Sequence, residues 1–153
     1  MCELLQDAGI QVKGLVLIDS PYPVDHEPLP QGVISHITRS TPAASHGTAL
    51  AKEFEVNATL LSSYEPRPLP DKYRVKTVML RSEETFDTQS ICGTQYEWLS
   101  SQRARDGAIA GWEKLIGDVI HVLPIPGHHF DAFSSHNVSS SPQLLGERAS
   151  DRS

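Results

Sequence analysis

Two groups of residues near opposite ends of this 153-residue chain carry side chains suited to acid–base chemistry. Asp19 closes the apolar run Gly14-Leu15-Val16-Leu17-Ile18 and is followed by Ser20 and Pro21. His128 and His129 follow Ile125-Pro126-Gly127 and precede Phe130. A carboxylate at the end of a buried strand can accept a hydrogen bond from one imidazole nitrogen, which fixes the tautomer and leaves the other nitrogen free to take a proton. These are the acid and the base of a nucleophile–histidine–acid triad. Competing readings of the same residues are structural. Asp-Ser-Pro initiates turns after any strand, and adjacent histidines without a His-x-x-x-His spacing or a cysteine partner bind a metal poorly.

The third member of such a triad is the difficulty. A serine nucleophile of this class sits in a Gly-x-Ser-x-Gly turn that precedes the acid and the histidine in the chain. Only 18 residues precede Asp19, and none is a serine. Ser20 and Ser82 are the stray candidates, and neither has the flanking glycines that expose a serine Oγ. The chain therefore reads as the later part of a catalytic domain, lacking its nucleophile. Glu83, Glu84 and Asp87, after the second apolar run, are alternative acids; a solvated acidic loop explains them better.

The elements that must position these residues follow an α/β rhythm. Residues 2–8 predict a short helix ended by Gly9, and 12–18 a strand buried on both faces of a parallel sheet. Pro21, Pro23, Pro28 and Pro30 forbid regular helix and favour an extended loop. Residues 40–47 are small and polar and predict a mobile loop, whereas Leu50, Phe54, Leu60, Leu61 and Tyr64 recur near helical spacing and predict a helix over 49–64. Further strands are expected at 75–80 and 119–125, with short helical segments at 96–101 and 111–117. All three strands deliver their polar loops to the carboxyl edge of the sheet, where open parallel sheets bind ligands. Trp98 and Trp112 are expected to serve packing.

Composition bounds the class without naming the chemistry. With 39% hydrophobic and 21% charged residues the chain is globular, and its net charge of −6 gives no reason to expect nucleic-acid binding. No run approaches the ~20 apolar residues of a membrane span. Two cysteines, Cys2 and Cys92, build no disulfide framework, so a cytoplasmic protein is expected. The Asn57-Ala58-Thr59 and Asn137-Val138-Ser139 sequons carry little weight without a signal peptide.

Taken in order, Gly14-Leu-Val-Leu-Ile-Asp-Ser-Pro-Tyr-Pro23, Tyr64-Glu-Pro-Arg-Pro68, Gly111-Trp112 and Gly127-His-His-Phe130 resemble the thioesterase domains of fungal iterative polyketide synthases. Thioesterases of peptide synthetases are similar, less closely. The resemblance implies a truncated α/β-hydrolase-like parallel sheet with a helical lid insertion: a partial thioesterase domain over 1–138, its lid about 24–63, and a flexible tail over 139–153. It puts the acid on Asp19 and the base on His129, although His128 stands where the family usually has a small or amide residue. It places Leu29, Val33, Ile34, Ile37, Leu50 and Phe54 along an acyl chamber under the lid.

The implied activity is release of an acyl group from a carrier-protein thioester in polyketide biosynthesis. The acyl group arrives on a phosphopantetheine arm, and no metal or other cofactor is implied. Implied partners are an acyl carrier protein or acyl thioester and the missing N-terminal part of the domain, with no nucleic acid or membrane. Without a Gly-x-Ser-x-Gly nucleophile, the sequence leads to the expectation that stand-alone activity is doubtful. The alternative is a non-catalytic remnant that binds an acyl chain or carrier protein.

Overall fold

The computed structural model describes residues 2–40, 44–134 and 136–137, without the side chains of residues 40 and 44–48. The expected tail over 139–153 lies outside these residues. Three parallel strands form one sheet in the order β1 (Leu15–Ile18), β2 (Thr77–Ser82), β3 (His121–Ile125). Leu15 is in register with Thr77, and Val78 with His121. The strand expected over 12–18 begins only at Leu15 because β2 offers no partner before Thr77.

Six helices accompany the sheet among the described residues: α1 (Cys2–Asp7), α2 (Gln31–Ser40), α3 (Ala44–Ser62), α4 (Thr88–Cys92), α5 (Glu97–Ser100) and α6 (Gln102–Ile116). A 3-10 turn covers Asp71–Tyr73. None of the helices is long and apolar enough to cross a membrane. Gly9, at φ +79°, follows α1 as its cap.

One face of the sheet packs on α6. Leu17, Met79, Ile116 and Ile120 are buried together, flanked by Leu15, Ile109, Trp112 and Val122. Alternation then turns Val16 and Ile18 to the other face, where they are 59% and 49% exposed. β1 is thus an edge strand covered on one side, not the doubly buried strand its apolar run predicted. α6 is closed by Gly117 at φ +74°, whose N–H donates to the Glu113 carbonyl. At its start the Ser101 hydroxyl accepts from the Ala104 N–H. The helix begins nine residues before the predicted segment, since Arg, Ala and Gly dominate 103–110 and leave no apolar stripe to read.

Between β1 and β2, helices α2 and α3 form the lid. α3 begins at Ala44, so residues 44–47 are helical where a mobile loop was expected, and residues 41–43 lie outside the described ones. Val33 of α2 is fully buried with Phe86, Tyr96 and Leu99, and Trp98 and Phe130 pack against that cluster. The lid is therefore built onto the same apolar cluster as the loop after β3.

Two of the sequence motifs meet in space. The Trp112 indole N–H donates to the Ser20 and Pro21 carbonyls, at 3.2 and 3.0 Å. Gly111 lies under the Tyr22 ring, so that a Cβ there would come within 2.6 Å of it. Replacing a glycine inside a helix with alanine ordinarily stabilises by about 0.5–1 kcal/mol. Gly111→Ala is expected instead to destabilise by about 1–3 kcal/mol through the collision with Tyr22. Urea unfolding measures this, and a more stable variant would show that Tyr22 is free to move away.

Candidate functional site

Asp19 leaves β1 with a left-handed backbone, φ +39°, that costs an aspartate of order 1 kcal/mol and is held by its N–H bond to the Leu80 carbonyl at 2.7 Å. The turn directs a carboxylate that is only 5% exposed across the end of β2. Oδ1 accepts from the Ser82 backbone N–H at 3.1 Å and from Arg105 Nη2 at 2.6 Å. Oδ2 accepts from the Ser82 hydroxyl at 2.6 Å and lies 3.0 Å from His129 Nδ1. Both oxygens of the buried charge are satisfied, as its burial demands. Burial alone would push this carboxyl up. The hydrogen bonds from His129 and Ser82 and the charge and hydrogen bond of Arg105 outweigh it, lowering the pKa from an ordinary 3.8 to about 2.

An ionised carboxylate has no proton to donate, so His129 must donate through Nδ1, leaving Nε2 as the acceptor. The ring is clasped edge-on by Trp98 and Phe130, each with centroids 4.8 Å away. The loop that carries it is tied down on both sides. Gly127, at φ +82°, accepts from the Glu84 N–H through its carbonyl, and Asp131 Oδ1 accepts from the His128 N–H at 2.6 Å. A side chain at Gly127 would strike Asn137 and Asp131.

His128 is turned to a different task. Its Nδ1 accepts from the Phe130 N–H and its Nε2 is 3.4 Å from Asp131 Oδ2, so it braces the loop and does not reach Asp19. Among the described residues no third metal-ligand type joins that pair. Of the alternative acids, Asp87 caps α4 by accepting from the Ser90 N–H, and Glu83 and Glu84 are exposed.

The expectation of a chain without a serine in its site is corrected here, and with it the doubt about enzymatic competence and the remnant reading. Ser82 is fully buried at the end of β2, and its hydroxyl shares Asp19 Oδ2 with the imidazole of His129. Arg105 Nη2 donates to the same hydroxyl at 2.6 Å and to the Ser82 carbonyl at 2.7 Å. Ser82 has no motif because it is not in a glycine-flanked turn. It enters the site through its register beside Asp19. Arg105 was also missed, being one cation in a polar stretch of sequence.

A 980 Å³ cavity opens between the lid and this network, with His129 in its wall. Leu29, Ile34 and Phe54 line it as expected, joined by Leu61, Tyr96 and Trp98. Val33 is buried in the lid core instead, and Ile37 and Leu50 are not in the wall. His26 also faces the cavity, and burial lowers it below its ordinary 6.5 against the opposing pull of Glu27.

A parallel sheet with a helical lid between its first strands, and an aspartate and histidine joined at its carboxyl edge, defines an α/β-hydrolase-like fold of the thioesterase type. The chain is 32% identical over 149 residues to the orsellinic acid synthase armB of Armillaria mellea, covering 92% of this chain and 7% of that protein. It is 29% identical over 154 residues to the thioesterase frbD of a Dothideomycetidae species, covering 92% of this chain and 55% of that one. Among solved structures, the NocB thioesterase domain, in covalent complex with a fluorophosphonate nocardicin G analogue, superposes with a TM-score of 0.58 at 21% identity. That match covers 92% of this chain and 56% of the other. No protein-family model matches. The chain is a homologue of the thioesterase region of fungal polyketide synthases, and spans less than a tenth of the synthases it matches.

Because Asp19 is more acidic folded than unfolded, its contribution is present above the unfolded value near 4 and is lost as pH falls toward 2. The shift corresponds to about 2 kcal/mol. Urea unfolding between pH 5 and pH 2 is therefore expected to show a loss about 2 kcal/mol larger in the wild type than in Asp19→Asn. Parallel curves would show that the carboxylate is not held ionised.

Proposed function

We propose that this chain carries a thioesterase-type acyl-hydrolase site, with Asp19 as acid, His129 as base and Ser82 as the hydroxyl of the network. The observation that carries the reading is the sharing of one Asp19 oxygen by the Ser82 hydroxyl and the His129 imidazole. His129 Nε2 takes a proton from the attacking hydroxyl, of Ser82 or of water, and returns one to the departing thiolate; an acyl group taken by Ser82 is then released by water, and Asp19 stabilises the imidazolium formed between these steps. The apolar cavity beside His129 suits an acyl chain, and lid helices over such a cavity exclude water from the reacting bond.

The domain assignment is a partial thioesterase over 1–138 with its lid about 24–63. The substrate is an acyl thioester presented by an acyl carrier protein of a polyketide synthase, in the cytoplasm. Support for this partner comes from the synthases and thioesterases that the chain resembles.

Hydrolysis of an acyl-N-acetylcysteamine thioester by the full chain tests the reading. His129→Ala is expected to lower kcat/KM by roughly 10²–10⁴-fold, and Ser82→Ala to lower it as well. Unchanged turnover in both variants would exclude the site. Peptide mass mapping with a slowly released acyl thioester separates two chemistries: an acyl adduct on Ser82 identifies it as the acceptor, whereas turnover without an adduct identifies water activated by His129.

A further inference from the structure

Arg105 has no place in the acid–base exchange, yet it is the most committed side chain around Asp19. It projects from α6, is only 4% exposed, and spends both terminal nitrogens on the site. Nη2 reaches Asp19 Oδ1 at 2.6 Å, the Ser82 hydroxyl at 2.6 Å and the Ser82 carbonyl at 2.7 Å; Nη1 donates to the Glu84 carbonyl at 3.0 Å. The two carbonyls anchor the guanidinium to the end of β2 independently of Asp19. A guanidinium stays protonated at every working pH.

The carboxylate is divided between its partners. Arg105 and the Ser82 N–H occupy Oδ1, which leaves Oδ2 to His129 and the Ser82 hydroxyl. Without the guanidinium, Oδ1 would keep only the weaker Ser82 N–H, and the carboxylate would be held less firmly in this orientation. Its buried charge would also lose its counter-ion. With the guanidinium at 2.6 Å, that charge is partly offset in a site of low dielectric.

We propose that Arg105 is a positioning residue: by holding Asp19 Oδ1 it presents Oδ2 to His129 and so fixes the imidazole that acts as base. The proposal rests on the reading of His129 as the base. Other groups facing the imidazole are Trp98 of α5 and the neighbouring Phe130, both uncharged. His26, Lys52 and Glu55 of the lid share its cavity, and Asp131 is engaged with His128.

The experiment is proton NMR of the low-field His129 Nδ1–H, the signature of its bond to Asp19 Oδ2, in the full chain, assigned by its loss in His129→Asn, alongside thioester hydrolysis. Arg105→Gln is expected to move that resonance upfield or broaden it by exchange with water, and to lower kcat by about tenfold at unchanged KM. Arg105→Lys keeps the charge but loses the fork, so kcat falls by about tenfold at unchanged KM with it too. Circular dichroism melts establish which variants fold, and Arg105→Lys carries the test if the glutamine variant does not. A folded Arg105→Gln with the wild-type resonance, or Arg105→Lys with wild-type kcat, overturns the proposal. The spectrum needs no substrate: a changed His129 resonance in a chain that hydrolyses no thioester would sink the functional reading and leave the positioning by Arg105 standing.

Discussion

The buried carboxylate of Asp19 is the constraint around which the fold is arranged. A charge this far from water is tolerable only where hydrogen-bond donors and a counter-charge replace its hydration. The donors come from three separate segments: Ser82 at the end of β2, Arg105 on α6 and His129 on the loop after β3. Satisfying one side chain therefore fixes the relative position of two strand ends, one helix and one loop. The left-handed backbone at Asp19 is the local cost of aiming it there.

The lid is joined to that arrangement through apolar packing. Val33 of α2 is buried with Phe86, Tyr96 and Leu99, and Phe130, next to His129, packs on the same cluster. Phe86 meets both Phe130 and His128 edge-on, with ring centroids 5.0 and 4.8 Å away. The Tyr96 hydroxyl donates to the Glu27 carbonyl on the approach to α2, and burial, reinforced by Glu27, pushes that phenol up to about 12. A shift of α2 would be transmitted to Phe130, and thereby to the ring it helps to clasp. Cavity shape and base orientation are thus coupled in this molecule.

Several features were legible in the sequence because their physical cause is local. The three β-rich apolar runs, the proline-broken loop after β1 and the glycine stop of α6 each depend on a few neighbouring residues. Asp19 and His129 were readable for the same reason, since each directly follows a strand or a glycine turn. α4 was missed although Asp87 and Gly93 flank it as caps, because five residues carry no periodicity. The strand ends were misplaced where pairing decided them, as at Leu15 opposite Thr77.

The sequence by itself determined the α/β order and the chemical types available, and it singled out Asp19 and His129. Only the tertiary structure decided who their partners are. Ser82 lies 63 positions from Asp19 and Arg105 lies 86 positions from it, with no motif linking either pair. What joins them is the parallel register of β1 with β2 and the packing of α6 on the sheet. A hydrogen bond across a sheet leaves no periodicity in the chain. It arises from where strands end relative to one another, and that is settled by the fold as a whole.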